Sequence, residues 1–546
     1  MATETALVAG IAAAPQITPP VKHRVARHVF WSGLEAGAAA VLAFASAFIV
    51  ARLIGPSEVG IAAAAVSVHV LLWVTVNALF ADAIVQRAGL DDRVIASAIW
   101  ASTAAGIVAA AIQLAAGPLL GTLLTDPRLP AMSALLAMPL PLVGAAGAMQ
   151  GMLTRERNYR ALAGRTLIGQ GLGTFTGIAA ALAGAGAWAL VLQQTVTAVV
   201  GALALLLRAN WRMPVQGAAR EHDEGHAQGS TPMRAPLGHA PVRYAPVGQA
   251  LRWPDLRAVR ELLRLGLPLT ASTLVQIGRY RLFVLLIGAT AGAAPLGEVH
   301  MAFRLVDTVR ELIFTALWRL MLPAMSARQH DLVALRKVVD RCLGLAALVV
   351  MPLLGMMAVM IVPLTRLLLG PAWVDAGPAA LPLIALSAWL LLWFPPGAAL
   401  IACGRPGPAL AANVAAVVAI LAGVAVFRPA TPFEAMAVWL VAQLATSPYT
   451  IAMIARVLRV GWLAPVRAGI APLGVAVLSV AVGFLVPWLL GEPRGPVGLI
   501  AARLGAGAIV CVPGLVWCLA RLGMLGRLSQ AVRRRGRVGV LDAEPR

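Results

Sequence analysis

Fourteen apolar stretches, each long enough to cross a bilayer, divide this chain, and its basic residues gather on one side of them. A crossing helix needs about 20 mostly apolar residues. The stretches run over 29–52, 59–86, 93–117, 131–153, 161–183, 186–208, 264–289, 296–325, 338–363, 379–403, 406–427, 432–456, 467–490 and 496–520. Hydrocarbon offers no partner to a free backbone N–H or C=O, so such segments fold as helices. The pattern predicts an all-α polytopic membrane protein with about 14 transmembrane helices. A mean hydropathy of +0.84 with 60% hydrophobic residues excludes a soluble chain of this length.

Charge then orients the spans. Of 44 Lys and Arg, five sit at one set of ends and loops (Arg52, Arg128, Arg366, Arg428, Arg494) and six lie inside spans. The remaining 33 fall in the tails and in the loops of the other side, which the positive-inside rule assigns to the cytoplasm. Both termini are therefore expected there, in a bacterial inner membrane. The pI near 11.5 reflects these loops meeting anionic lipid headgroups rather than nucleic acid.

The division expected is a cytoplasmic tail over 1–28, a six-helix bundle over 29–208, a linker over 209–258, a second six-helix bundle over 259–460, two further helices over 461–520 and a basic tail over 521–546. The linker is Gly-, Pro- and His-rich and lacks apolar periodicity, so it reads as disordered. Its His222, His226 and His239 have no acid or cysteine framework to make a metal site, and no cofactor is expected. Cys342, Cys403, Cys511 and Cys518 read as apolar packing residues. Trp31, Trp188, Trp318, Trp373, Trp462 and Trp488 lie near span ends, as an interfacial belt requires. Pro139, Pro141, Pro268, Pro352, Pro382, Pro395 and Pro396 are expected to break or kink helices. The halves carry a weak repeat. Glu58-Val59 matches Glu298-Val299, and Leu53-Ile54-Gly55 matches Leu286-Ile287-Gly288, with spacings that differ by seven residues. Two related bundles place a substrate site between them.

A few charges remain that the loops do not explain. Arg279 and Arg281 lie in the seventh span, and Arg304, Asp307, Arg310, Glu311 and Arg319 in the eighth. Burying an ionised group costs at least ~2.5–3.5 kcal/mol on insertion scales, so such groups face a cavity or a partner. Five Arg against two acids leave three positive charges over. One reading is an anion site, since guanidinium groups grip diphosphate oxygens bidentately. The other is an internal salt-bridge set, such as Arg304 with Asp307 or Arg310 with Glu311. On a helical wheel Arg279 and Arg281 point to nearly opposite faces, so one of them is expected to face a cavity. Glu35 and Asp82 are further embedded acids, read as interface groups or coupling sites, Asp82 lying close to Arg87.

Several phrases fall at matching helix ends: ARLIGPSEVGIAAAA (51–65), LTRERNYRALAGRT (153–166), AGAGAWALVLQQ (183–194), LRLGLPLTAS (263–272) and LMLPAMSARQHD (320–331). In their order the chain resembles the multidrug/oligosaccharidyl-lipid/polysaccharide (MOP) flippase superfamily, most closely its polysaccharide-transport branch with the Wzx-type O-antigen flippases. That resemblance implies a V-shaped pair of six-helix bundles plus two C-terminal helices. It implies a lipid-linked (undecaprenyl-pyrophosphate) oligosaccharide as substrate, with a polysaccharide polymerase and export proteins as partners beside the membrane lipids. The span that often carries an acid in relatives reads QIGRYRLFVLLIG here. A drug/cation antiporter of the same superfamily would want cavity acids in place of this arginine surplus. A polymerase or glycosyltransferase would want catalytic groups in sizeable outer loops, and no Ser/His/Asp, metal or nucleotide-binding constellation stands in the sequence.

Overall fold

The structure, a computed structural model, describes residues 19–87, 90–156, 158–208, 212–215, 243–246, 254–403, 407–459, 461–493 and 495–521. Most of the N-terminal tail, the basic C-terminal tail, and most of the 209–258 linker with its three histidines lie outside the described residues. So do the side chains of Trp31 and Glu35. Within the linker the described residues are two short strands, β1 (Arg212–Val215) and β2 (Arg243–Pro246), paired antiparallel.

The rest is helical. α1 (Pro19–Gln86) is 68 residues long, about 100 Å of helix and far more than one crossing needs. It is broken at Gly55, whose φ of 81° and ψ of 171° suit glycine alone, and Pro56 follows. α1 thus supplies the first two spans. α2 (Asp92–Leu124) is the third. The fourth is divided into α3 (Leu129–Ala137) and α4 (Leu140–Arg155), because Pro139 and Pro141 remove two backbone donors at the joint. α5 (Tyr159–Leu182) and α6 (Trp188–Arg208) complete the first bundle. α7 (Leu256–Ala291), α8 (Ala293–Ser326), α9 (Leu332–Leu369), α10 (Ala376–Ala402), α11 (Gly407–Phe427) and α12 (Pro432–Leu458) form the second. α13 (Ala464–Leu490) and α14 (Pro496–Arg521) pack on each other and on α9. Unlike Pro139 and Pro141, Pro268, Pro352, Pro382, Pro395 and Pro396 stay inside continuous helices.

Among the described residues ten helices are long and apolar enough to cross a membrane, so the chain is a multi-pass membrane protein. The difference from fourteen has a physical reason. α1 counts once but holds two spans, and the described apolar part of α11 is short. α5, with its glycines and Arg160 and Arg165, and α8, with its ionised residues, are helices whose polar faces need protein neighbours rather than lipid.

The two bundles meet along α1, which packs on both α7 and α8. Gly292 at the joint of α7 and α8 has φ 92° and ψ −176°, the conformation of Gly55, and stands 237 positions later (292 − 55). A methyl at Gly60 would strike the Ala293 carbonyl and come within 3.0 Å of the Gly297 nitrogen. A methyl at Gly297 would strike the Pro56 carbonyl and come within 3.0 Å of the Gly60 nitrogen. These contacts are reciprocal at the same spacing of 237 (297 − 60), so a pseudo-two-fold axis runs between α1 and α8. The sequence matches, spaced 233 and 240, bracket this register without finding it, because the Gly292 turn lies four residues beyond the LIG motif. Glu58 and Glu298 nonetheless play parallel roles, each binding the loop of the next helix pair. Glu58 holds Arg128 at 3.0 and 2.9 Å, and Glu298 accepts the backbone N–H of Asp375.

The largest apolar core fills the second bundle and reaches across to Phe48, Ala51 and Val59 of α1. Trp373 belongs to it with 0% exposure, so it is a packing residue and not part of an interfacial belt. Trp462 and Trp488 are exposed at 70% and 69%, as a belt requires. Cys511 and Cys518 are buried, and none of the four cysteines forms a disulfide among the described residues.

Candidate functional site

Some described arginines at one end of the bundles hold backbone carbonyls near helix termini. Arg155 donates to the carbonyls of Ile84, at 3.0 Å, and of Arg87. Arg336 donates to Leu458 at 2.5 Å, and Arg87 pairs with Glu261 at 3.1 Å rather than with Asp82. At the far end Arg52 donates to the Leu367 and Leu368 carbonyls at 2.6 and 3.2 Å, tying the first bundle to α9. There too Arg128 is held between Glu58 and Asp126. Arg503, an arginine inside the last span, pairs with Glu492 at 2.6 Å and lies over the Phe484 ring.

The arginines of α7 and α8 are different, because their neighbours leave them largely unpaired. Arg281 stacks over the Tyr280 ring at 5.0 Å, and its Nε and Nη1 are buried without a hydrogen-bond partner. It lies within electrostatic reach of Arg304, of His300 on α8 and of His69 on α1. Arg304 Nε is likewise buried without a partner. Arg279 points the other way. It reaches Gln443 of α12 at 3.3 Å and lies 5.5 Å from the centre of the Trp439 ring, with its own Nε unsatisfied. Arg310 pairs with Asp307 at 2.8 Å, one turn apart on the same helix. Of the two pairings expected, neither forms; Asp307 takes Arg310 instead. Arg319 and Glu311 sit exposed on α8, with Glu311 at the edge of the group, within electrostatic reach of Asp307.

Arg279 and Arg281 thus diverge as the helical wheel requires, yet each finds a neighbour in the same cluster: Arg279 faces Arg310 and Asp307, Arg281 faces Arg304. Four arginines stand against Asp307 and Glu311, so two positive charges stand uncompensated where α7, α8 and α1 meet. Cations this poorly paired in a partly desolvated place favour an anion strongly. The Tyr280 hydroxyl and His300 Nδ1, 2.7 Å apart, brace the two arginine-bearing helices, and the Phe283, Phe303 and Trp439 rings pack beneath them.

Reading charges alone in the sequence misses His69, His300, Gln443 and Trp439. The signal that finds them is a polar side chain inside an apolar span, whatever its charge. It also misses a cavity of about 320 Å³ within the first bundle, between α1, α4, α5 and α6. Among the described residues no group of three His, Cys, Asp or Glu is arranged to hold a metal ion.

Known proteins share both the sequence pattern and this architecture. Residues 49–224 and 243–378 match the family described as polysaccharide biosynthesis protein. The chain is 23% identical over 376 residues to the succinoglycan biosynthesis transport protein ExoT of Rhizobium meliloti (strain 1021), covering 69% of this chain and 68% of that protein. In fold it is similar to the lipid II flippase MurJ in an inward closed conformation, with TM-score 0.70, 9% identity, and coverage of 90% of this chain and 99% of that one. It is also similar to an inward-facing multidrug resistance MATE family transporter of the MOP superfamily, with TM-score 0.51, 13% identity, and coverage of 81% and 94%. The family match spans more than half of the chain and the fold is shared with these transporters, so the chain belongs to the polysaccharide biosynthesis protein family, as a multi-pass membrane protein.

Proposed function

We propose that this chain is a flippase, not an enzyme. It moves an undecaprenyl-pyrophosphate-linked oligosaccharide across the bacterial cytoplasmic membrane for polysaccharide export, by alternating access between its two bundles. The observation that carries the reading is the surplus of two positive charges on Arg279, Arg281, Arg304 and Arg310, set against Asp307 and Glu311. A lipid pyrophosphate brings a complementary charge, and guanidinium forks match its oxygens. The relatives named as transport proteins support a transporter. The basic end, on this reading, faces the cytoplasm and both termini lie there. Asp82 and Glu35 are then interface groups. Polymerase and export proteins downstream would receive the product.

The test is Arg304→Gln, in cells lacking their own copy of the transporter. Loss of one charge-assisted contact, about 1.5–3 kcal/mol, lowers glycan export roughly 10- to 100-fold at unchanged membrane levels. Arg304→Lys keeps the charge without the planar fork and recovers export only in part. Wild-type export by Arg304→Gln sinks the proposal. Full export by Arg310→Gln combined with Asp307→Asn reduces that pair to a structural strut.

A further inference from the structure

The cavity in the first bundle lies apart from the arginine cluster, and the function above leaves it unused. It holds about 320 Å³, within the range of ~300–1,000 Å³ typical of small-molecule sites and room for about one or two sugar rings. Its wall is unusual for a helix bundle in hydrocarbon. Trp73 and Asn77 of α1, Arg165 and Gln170 of α5, and Gln194 and Thr197 of α6 all line it. Gly201 leaves open space on this wall, and Gly169 lets α5 approach the α6 backbone at Thr197 and Gly201. Each amide offers two donors and an acceptor, and the hydroxyl offers both. That is the complement of a polyhydroxyl ring. The indole adds a flat apolar face for the C–H side of such a ring. No carboxylate lines the cavity, so it does not suit an organic cation. Its one charge, Arg165, already donates to Gln150, so it does not suit a phosphate.

Position supports the same chemistry. His69 lies within electrostatic reach of Arg281. Trp73 follows one turn along the same face of α1, roughly 6 Å further. The pseudo-two-fold register adds a second argument. Position 73 plus 237 is 310, so Trp73 occupies in the first half the place that Arg310 occupies in the second.

We propose that this cavity is the glycan site of the transporter: it binds the neutral sugar nearest the pyrophosphate, while the arginines of α7 and α8 bind the anion. The assignment rests on the flippase reading, and its test separates the two. Two probes are used on the full-length purified chain in detergent. One is undecaprenyl pyrophosphate bearing no sugar. The other is the free glycan released by mild acid from the lipid-linked pool of the expressing cells, followed by saturation-transfer NMR. Two half-buried positions are changed, Gln194→Leu and Gln170→Leu, so that one variant with the wild-type melting temperature goes forward. The glycan signal should fall at least ~10-fold in that variant, the loss of a buried hydrogen bond with its partner left unpaired. Its binding of undecaprenyl pyrophosphate should be unchanged. Arg304→Gln should show the reverse. Full retention of the glycan signal in the Gln variant, or no glycan signal from the wild-type chain, overturns the sugar site and leaves the arginine result to stand or fall alone.

Discussion

Arg128 sits between two carboxylates and joins three turns of chain. It binds Glu58 at the α1 break and Asp126 in its own loop, and Glu58 also accepts the Ala187 N–H at 2.6 Å. The hydrogen bond from Arg128 holds the Asp126 carboxyl below its ordinary 3.8, against the burial that raises it. A lowered carboxylate stabilises the fold above its unfolded value and loses that contribution as pH falls through the folded one. The wild-type melting temperature should therefore hold from neutral pH to about 4 and drop below it. Asp126→Asn should melt lower at neutral pH, and the gap should close in acid; a gap unchanged at low pH would remove Asp126 from the acid sensitivity. This triad shows what residues tell in advance and what they do not. Charge in an apolar span picked out Arg279, Arg281, Arg304 and Arg310 directly from the sequence. Their partners came from elsewhere in the chain: Gln443 lies 164 residues from Arg279, and no local pattern encodes that approach. Asp307 took Arg310 and not Arg304 although each lies three residues away on the same helix, so spacing alone could not decide between them.

At the scale of helices, apolar length and charge sidedness carried the expected spans, and these pass into the helices with small changes at breaks. Glycine and proline decided those breaks through backbone geometry. Gly55 and Pro139 interrupt their helices, whereas Pro395 and Pro396 are accommodated within α10. The crossing of α1 and α8 could not be read in advance, since it depends on two glycines, Gly60 and Gly297, meeting face to face. It gives a sharp expectation. Gly297→Val adds a side chain where the Pro56 carbonyl already lies, and overpacking of this kind costs about 1–3 kcal/mol. That penalty falls only on the state in which α1 and α8 touch. A cysteine placed at Val59, 1% exposed here, should then react faster with a water-soluble maleimide in the Gly297→Val background than without it, by roughly 5- to 100-fold. Equal rates would mean that the two helices do not separate at this end.

At the scale of the whole molecule the sidedness of the basic residues makes a global claim. Reporters fused after Gly229 and after Arg546 should both report the cytoplasm; a periplasmic signal at either point breaks the proposed topology. Replacing Val215–Ala250 by an equally long Gly/Ser stretch should preserve export, because a linker between two bundles needs reach rather than sequence. Loss of export at normal protein levels would mean that this segment binds something.

The reciprocal meeting of Gly60 with Gly297 bears on the ancestry of the chain. Two halves that touch each other through the same residues are what a homodimer becomes when its gene is duplicated and fused. The seam is the segment between α6 and α7, and α13 and α14 lie outside the repeat. At the spacing of 237, Arg279, Arg281, Arg304 and Arg310 correspond in position to Leu42, Phe44, Ser67 and Trp73. A homodimer must write every residue twice and cannot give one copy cations and the other an indole and amides. A fused pair is free of that constraint, and in this chain one half carries the arginine cluster while the other carries no charge at the matching positions.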